Sequence, residues 1–123
     1  MAKLFVTLAS LSGMLAVMFG AFGAHALKDR LDDYAMGIFT TAVQYHFFHS
    51  LALLGVGIIA LHQPSGFLLK SSGWLFVIGI LIFSGSLYTL SLSGLRWLGA
   101  ITPLGGLAFI AGWACLAAAA ARL

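Results

Sequence analysis

The chain has 123 residues, 62% of them hydrophobic and 7% charged, with a net charge of +3 and a mean hydropathy of +1.09. Soluble domains carry about 25% charged residues, so a chain this poor in charge cannot clothe a globule against water, and lipid must be the solvent for most of its surface. The six Lys and Arg are scattered singly, which excludes a nucleic-acid-binding patch, and the lone Cys115 allows no intrachain disulfide and reads as a small buried hydrophobe.

A bilayer core about 30 Å thick needs about 20 apolar residues in a helix. Four stretches qualify, 4–27, 41–61, 73–92 and 98–121, and none holds Asp, Glu, Lys or Arg. The first follows Lys3 and ends in Ala24-His25-Ala26, which resembles a signal-peptidase site. Its glycine-studded apolar run exceeds the roughly 7 to 15 residues of a signal core, so it is expected to be a retained span. Lys28, Asp29, Arg30, Asp32 and Asp33 follow as an interfacial anchor. After the second stretch, "HQPSG" from His62 supplies Pro64 as a helix stop, and His62 reads as a solvated loop residue. The third ends at "SGLRW" from Ser93, where Arg96 and Trp97 suit an interface. For the fourth, Thr102 makes a good N-cap with Pro103 at the first helical position; a start near Leu98 with a kink at Pro103 is the alternative, and the sequence leaves both open.

Short connections make neighbouring helices antiparallel. The expected fold is all-α: a single membrane domain, residues 1–123, forming an up-down-up-down four-helix bundle. Lys3, Lys70 and Arg122 fall on the side of the termini and Lys28, Arg30 and Arg96 on the other, a tie under the positive-inside rule. All three acidic residues lie on the second side, which favours termini in the cytoplasm.

Between helices in lipid, association depends on small-residue packing and a few hydrogen bonds. Ser12, Ala16, Gly20 and Ala24 recur every fourth residue along the first span, Gly85 pairs with Thr89 in the third, and Gly112 sits in an Ala-rich fourth. These are the expected packing positions.

The topology gathers polar residues toward the side of the first and third connections. His25 ends the first span, His46 and His49 stand near the start of the second, Ser84 and Tyr88 lie late in the third, and Thr102 opens the fourth. His46 and His49, three apart, share a helix face. Intramembrane ionisable groups are functional candidates, and His25 with His49 would be the pair for a metal. Simple hydrogen bonding between helices near the interface is the plainer expectation.

"GAFGAH" from Gly20, "YHFFHSLALL" from Tyr45, "FSGSLY" from Phe83, "TPLGG" from Thr102 and Gly112-Trp113 resemble, in order and over nearly the whole chain, the domain-of-unknown-function 423 family. These are small inner-membrane proteins related to the eukaryotic transmembrane protein 256. The resemblance implies four membrane helices and a bacterial inner-membrane location, and no reaction. It also implies a greater weight for His25 and His49 than for His46, because the residue after the tyrosine differs in some members.

No nucleophile-base pair, phosphate loop or carboxylate dyad stands out in the sequence. A non-enzymatic structural or accessory component is the leading expectation, with the bilayer and either a second copy or a larger membrane complex as partners. A ligand site in the polar cluster is the alternative, for lipid, quinone, haem or metal, although no cofactor is required. A small dimeric transporter ranks third, since no span carries a carboxylate.

Overall fold

The computed structural model describes residues 1–63 and 66–123. Helix α1 covers Ala2–His25 and α2 covers Asp33–His62. The third span, Phe67–Ser93, is built from α3 (Phe67–Gly79), one π-helical turn (Ile80–Ser84) and α4 (Gly85–Ser93). A 3-10 turn, Arg96–Ala100, leads into α5 (Thr102–Ala120) to make the fourth span. All four spans are long and apolar enough to cross a membrane.

Two starts differ from the sequence expectation. The second helix begins at Asp33, not 41, because the Asp32 carboxylate accepts the Ala35 N–H at 2.8 Å and caps it. Asp33 in the first turn complements the helix dipole. Tyr34 carries the Arg96 guanidinium over its ring at 5.5 Å, tying this extension to the third connection. The third span begins at Phe67 rather than 73, and Gly94 ends it in the left-handed conformation at φ 74°, where a side chain would be strained. The expected stop at Pro64 lies outside the described residues. His62 is the exposed last residue of α2 rather than a loop residue.

The alternatives at Pro103 resolve in favour of a new α-helix. Pro103 sits in the first turn of α5, where its missing N–H is no loss. Thr102 is not the N-cap, however; Ile101 is. The Thr102 hydroxyl instead lies 2.6 Å from that of Ser86 and reaches the Leu98 carbonyl at 3.3 Å, binding the fourth span to the third.

The antiparallel neighbours α1 and α2 pack along their lengths, as do the third and fourth spans, and the second and third meet between them. Over almost all its length the α1 backbone stays clear of the third and fourth spans. Phenylalanine rings seated on glycines make the tight joints. A Cβ on Gly73 would lie 2.4 Å from the Phe5 ring, one on Gly79 2.3 Å from Phe109, and one on Gly112 2.8 Å from Phe76. The last two are reciprocal, so the third and fourth spans lock together. Gly105 faces the π-helical turn itself, where a Cβ would stand 2.4 Å from the Phe83 nitrogen.

The expected packing stripe on α1 holds only in part. Ala16 is buried, Gly20 makes ordinary contact with Val43, and Ala24 is exposed. At about 100° per residue, a step of four drifts by about 40°, so three steps turn Ala24 well away from the face Ser12 occupies. Gly112 packs as expected. Gly85 does not: nothing lies within 4 Å of where its Cβ would stand. The π-helical turn before it adds a residue and rotates the following face, which straight helical periodicity does not register.

Candidate functional site

The early start of α2 changes the depth of its histidines. At 1.5 Å per residue, His46 lies about 20 Å from the Asp33 end of a 30-residue helix, near its middle. Ser12 is equally central in α1. His46 and Ser12 therefore lie near the middle of their helices, while Tyr88, five residues from Ser93, lies about 8 Å from the end of the third span on the side of the third connection.

Its core is a chain of hydrogen bonds across three spans. Ser50 donates its hydroxyl to the His46 carbonyl at 2.7 Å. Its oxygen must then accept from Ser12, 2.6 Å away. With its proton so used, Ser12 accepts from His46 Nε2 at 3.0 Å. That leaves Nδ1 as an acceptor for the Tyr88 hydroxyl at 2.9 Å. The sequence of donors assigns His46 as the neutral Nε2–H tautomer.

Three residues on, His49 makes a different set of bonds. Its Nδ1–H donates to the Tyr45 carbonyl at 2.8 Å, and its Nε2 accepts the Trp113 indole N–H at 3.0 Å. Indole only donates, so His49 is the neutral Nδ1–H tautomer. Phe109 stacks on its ring at 3.6 Å, with Phe76 at 5.7 Å. Both ring nitrogens are committed within the protein, which removes His49 as a free metal ligand.

The other predicted site residues divide. Ser84 is buried and donates to the Ala42 carbonyl at 2.9 Å, joining the third span to the second. Thr102 pairs with Ser86, away from both histidines. His25 is exposed at the end of α1 and does not join the cluster. No group of three or more His, Cys, Asp or Glu suited to a metal occurs among the described residues. Of His25 and His46, it is His46 that lies within the hydrogen-bonded chain.

Three contributors were not singled out as site residues in the sequence: Ser50, Trp113 and Phe19. Ser50 lies four residues beyond His46 and so on its face, a usable signal. Ser12 had been read only as a packing residue. Trp113 and Phe19 arrive from other spans, and no spacing within one helix reveals them.

Beside the His46 chain, a cleft of about 320 Å³ opens between α1 and the third span. Leu8, Leu11, Leu15 and Phe19 line one wall and Val77, Ile80 and Leu81 the other; Ser12, His46 and Tyr88 supply its polar patch. Phe19 lies 4.8 Å from the Tyr88 ring, centroid to centroid. On the His49 side, Phe109, Phe76 and Trp113 pack their rings about the imidazole.

Four apolar spans held by seated rings and interhelical hydroxyls define a small multi-pass membrane protein. Among known sequences, the chain belongs to the protein family of unknown function DUF423, whose model matches residues 19–106. It is 47% identical over 114 residues to a UPF0382 membrane protein of Staphylococcus epidermidis, covering 93% of this chain and 92% of that one. It is 43% identical over 120 residues to the UPF0382 membrane protein YwdK of Bacillus subtilis, covering 98% of each. It is also 43% identical over 115 residues to the UPF0382 inner membrane protein YgdD of Escherichia coli, covering 94% and 87%. No solved structure matches the chain.

Proposed function

We propose that this protein is a non-enzymatic component of the bacterial inner membrane, acting by holding or presenting rather than by transforming a substrate. The observation that carries this reading is the pairing of its polar groups. Among the described residues, every buried side-chain nitrogen or oxygen has a hydrogen-bond partner within the chain. Catalysis requires a nucleophile or base aimed at a reacting atom. Here the two buried histidines are engaged on both ring nitrogens. Transport by a carboxylate is also disfavoured, because the last acidic residue is Asp33, in the first turn of α2.

Extraction from native membranes in mild detergent tests the accessory role. The expected result is a stable assembly, either with itself or with another membrane protein. A chain that always migrates alone would overturn it. The three acidic residues, all on the side opposite the termini, favour an orientation with both termini in the cytoplasm. A periplasm-active reporter fused after Leu123 should be silent, and an active one would reverse the orientation.

A second reading is carried by the cleft. A gap of about 320 Å³ falls at the lower end of the roughly 300–1,000 Å³ typical of ligand pockets, and it combines apolar walls with a few polar groups as such pockets do. It makes the protein a holder of a lipophilic molecule.

A further inference from the structure

We infer that the cleft between α1 and the third span takes the head of a membrane-soluble carbonyl compound of the quinone and quinol class. The inference rests on the second reading above, that the cleft is a binding site, and adds the chemistry of its occupant.

Depth is the first argument. The polar patch of the cleft runs from Ser12 and His46, near the middle of their helices, to Tyr88, nearer the third connection. Phospholipid ester and phosphate groups lie at the interface, about 15 Å from the midplane of a core about 30 Å thick. A phospholipid would bring only an acyl chain to the depth of Ser12 and His46 and would leave that part of the patch unused. A prenylated ring with carbonyl or hydroxyl oxygens lives wholly within the core and brings polar atoms to that level.

The second argument is the direction of the hydrogen bonds. Ser50, Ser12, His46 and Tyr88 hold one proton on each hydroxyl and one on the ring. In the present arrangement Tyr88 donates inward to His46 Nδ1, so its oxygen is free to accept from a ligand hydroxyl. The same number of protons allows the reverse order, once Ser50 turns its hydroxyl away from the His46 carbonyl and the ring proton moves from Nε2 to Nδ1. Ser50 then donates to Ser12, Ser12 to Nε2, and Nδ1–H to the Tyr88 oxygen, which frees the Tyr88 proton for a ligand carbonyl. The chain therefore answers either the carbonyl or the hydroxyl form of one molecule. Its neighbour cannot do so, because Trp113 only donates and fixes His49 in one tautomer.

The third argument is shape. Phe19 at 4.8 Å from Tyr88 offers a flat aromatic wall to a ring. Gly85 also borders the cleft, and a Cβ there would meet nothing within 4 Å. A side chain at Gly85 therefore fills the cleft without displacing the helices.

The full-length protein in phosphatidylcholine nanodiscs, titrated with decylubiquinone, provides the test. Saturable binding of one molecule per cleft is expected. Tyr88→Phe keeps the ring and should weaken binding about five- to tenfold, the worth of one hydrogen bond. Gly85→Leu should abolish binding with thermal stability retained, and Trp113→Phe should bind as the wild type does. Absence of saturable binding beyond partition into lipid overturns the inference, as does equal binding by Tyr88→Phe and Gly85→Leu. If mass spectrometry finds phospholipid retained by the wild type and lost from Gly85→Leu while decylubiquinone does not bind, the quinone assignment falls and the cleft remains a lipid-chain site.

Discussion

His46 and His49 are three residues apart on one helix, yet they occupy opposite kinds of environment. His49 faces the fourth span, where reciprocal rings and glycines draw the backbones together and stack Phe109 on its imidazole at 3.6 Å. His46 faces α1 and the third span, whose backbones stay apart, and a chain of hydroxyls and an open cleft fill the interval. The difference shows that what a buried histidine does follows from how closely the neighbouring helices approach. Where they close, it becomes a packing element. Where they stay apart, it becomes part of a polar edge facing lipid.

The contrast can be broken most severely at His49. His49→Ala should cost about 3 kcal/mol, since it removes a stacked ring and leaves the Trp113 N–H without its partner. His46→Ala should cost less, about 2 kcal/mol, because its ring already borders open space, Ser12 keeps its bond to Ser50, and only the Tyr88 hydroxyl must find another acceptor. Unfolding by denaturant titration in bicelles measures both, and equal losses would erase the distinction. Trp113→Phe keeps the ring and should cost about 1 kcal/mol through the unpaired His49 Nε2. The smallest effect has the opposite sign. Gly85→Ala should stabilise by about 0.5 kcal/mol, because the site is helical and has room for the methyl group. A loss there would mean that the cleft is closed in the membrane.

Much of this arrangement was legible in the sequence. Apolar length alone marks all four spans, and the resemblance carried by "GAFGAH" and "YHFFHSLALL" agrees with the family assignment. The start of α2 was not legible, because the roughly 20 apolar residues a span needs are already met from 41 onward, while the Asp32 cap and the Arg96–Tyr34 contact act through geometry. That one boundary moves His46 from near the start of its helix to near its middle. The π-helical turn was equally hidden, and it misdirected the reading of Gly85. His25 looked like a member of the cluster because it ends a span on the expected side, but the first span ends too far from the midplane for its side chain to join. Ser50 carries no signal beyond its spacing of four from His46, yet its hydroxyl sets the direction of the whole chain.

Two histidines three residues apart on one helix are held in opposite neutral tautomers, one by a hydroxyl chain whose direction Ser50 sets and the other by an indole. Solid-state NMR of ¹⁵N-histidine-labelled protein in lipid bilayers near neutral pH measures this directly. The account predicts a neutral Nε2–H ring for His46 and a neutral Nδ1–H ring for His49, with only His46 responding when Tyr88 is replaced by Phe. Identical tautomers, or a His49 signal that shifts with Tyr88→Phe while His46 stays fixed, would contradict it.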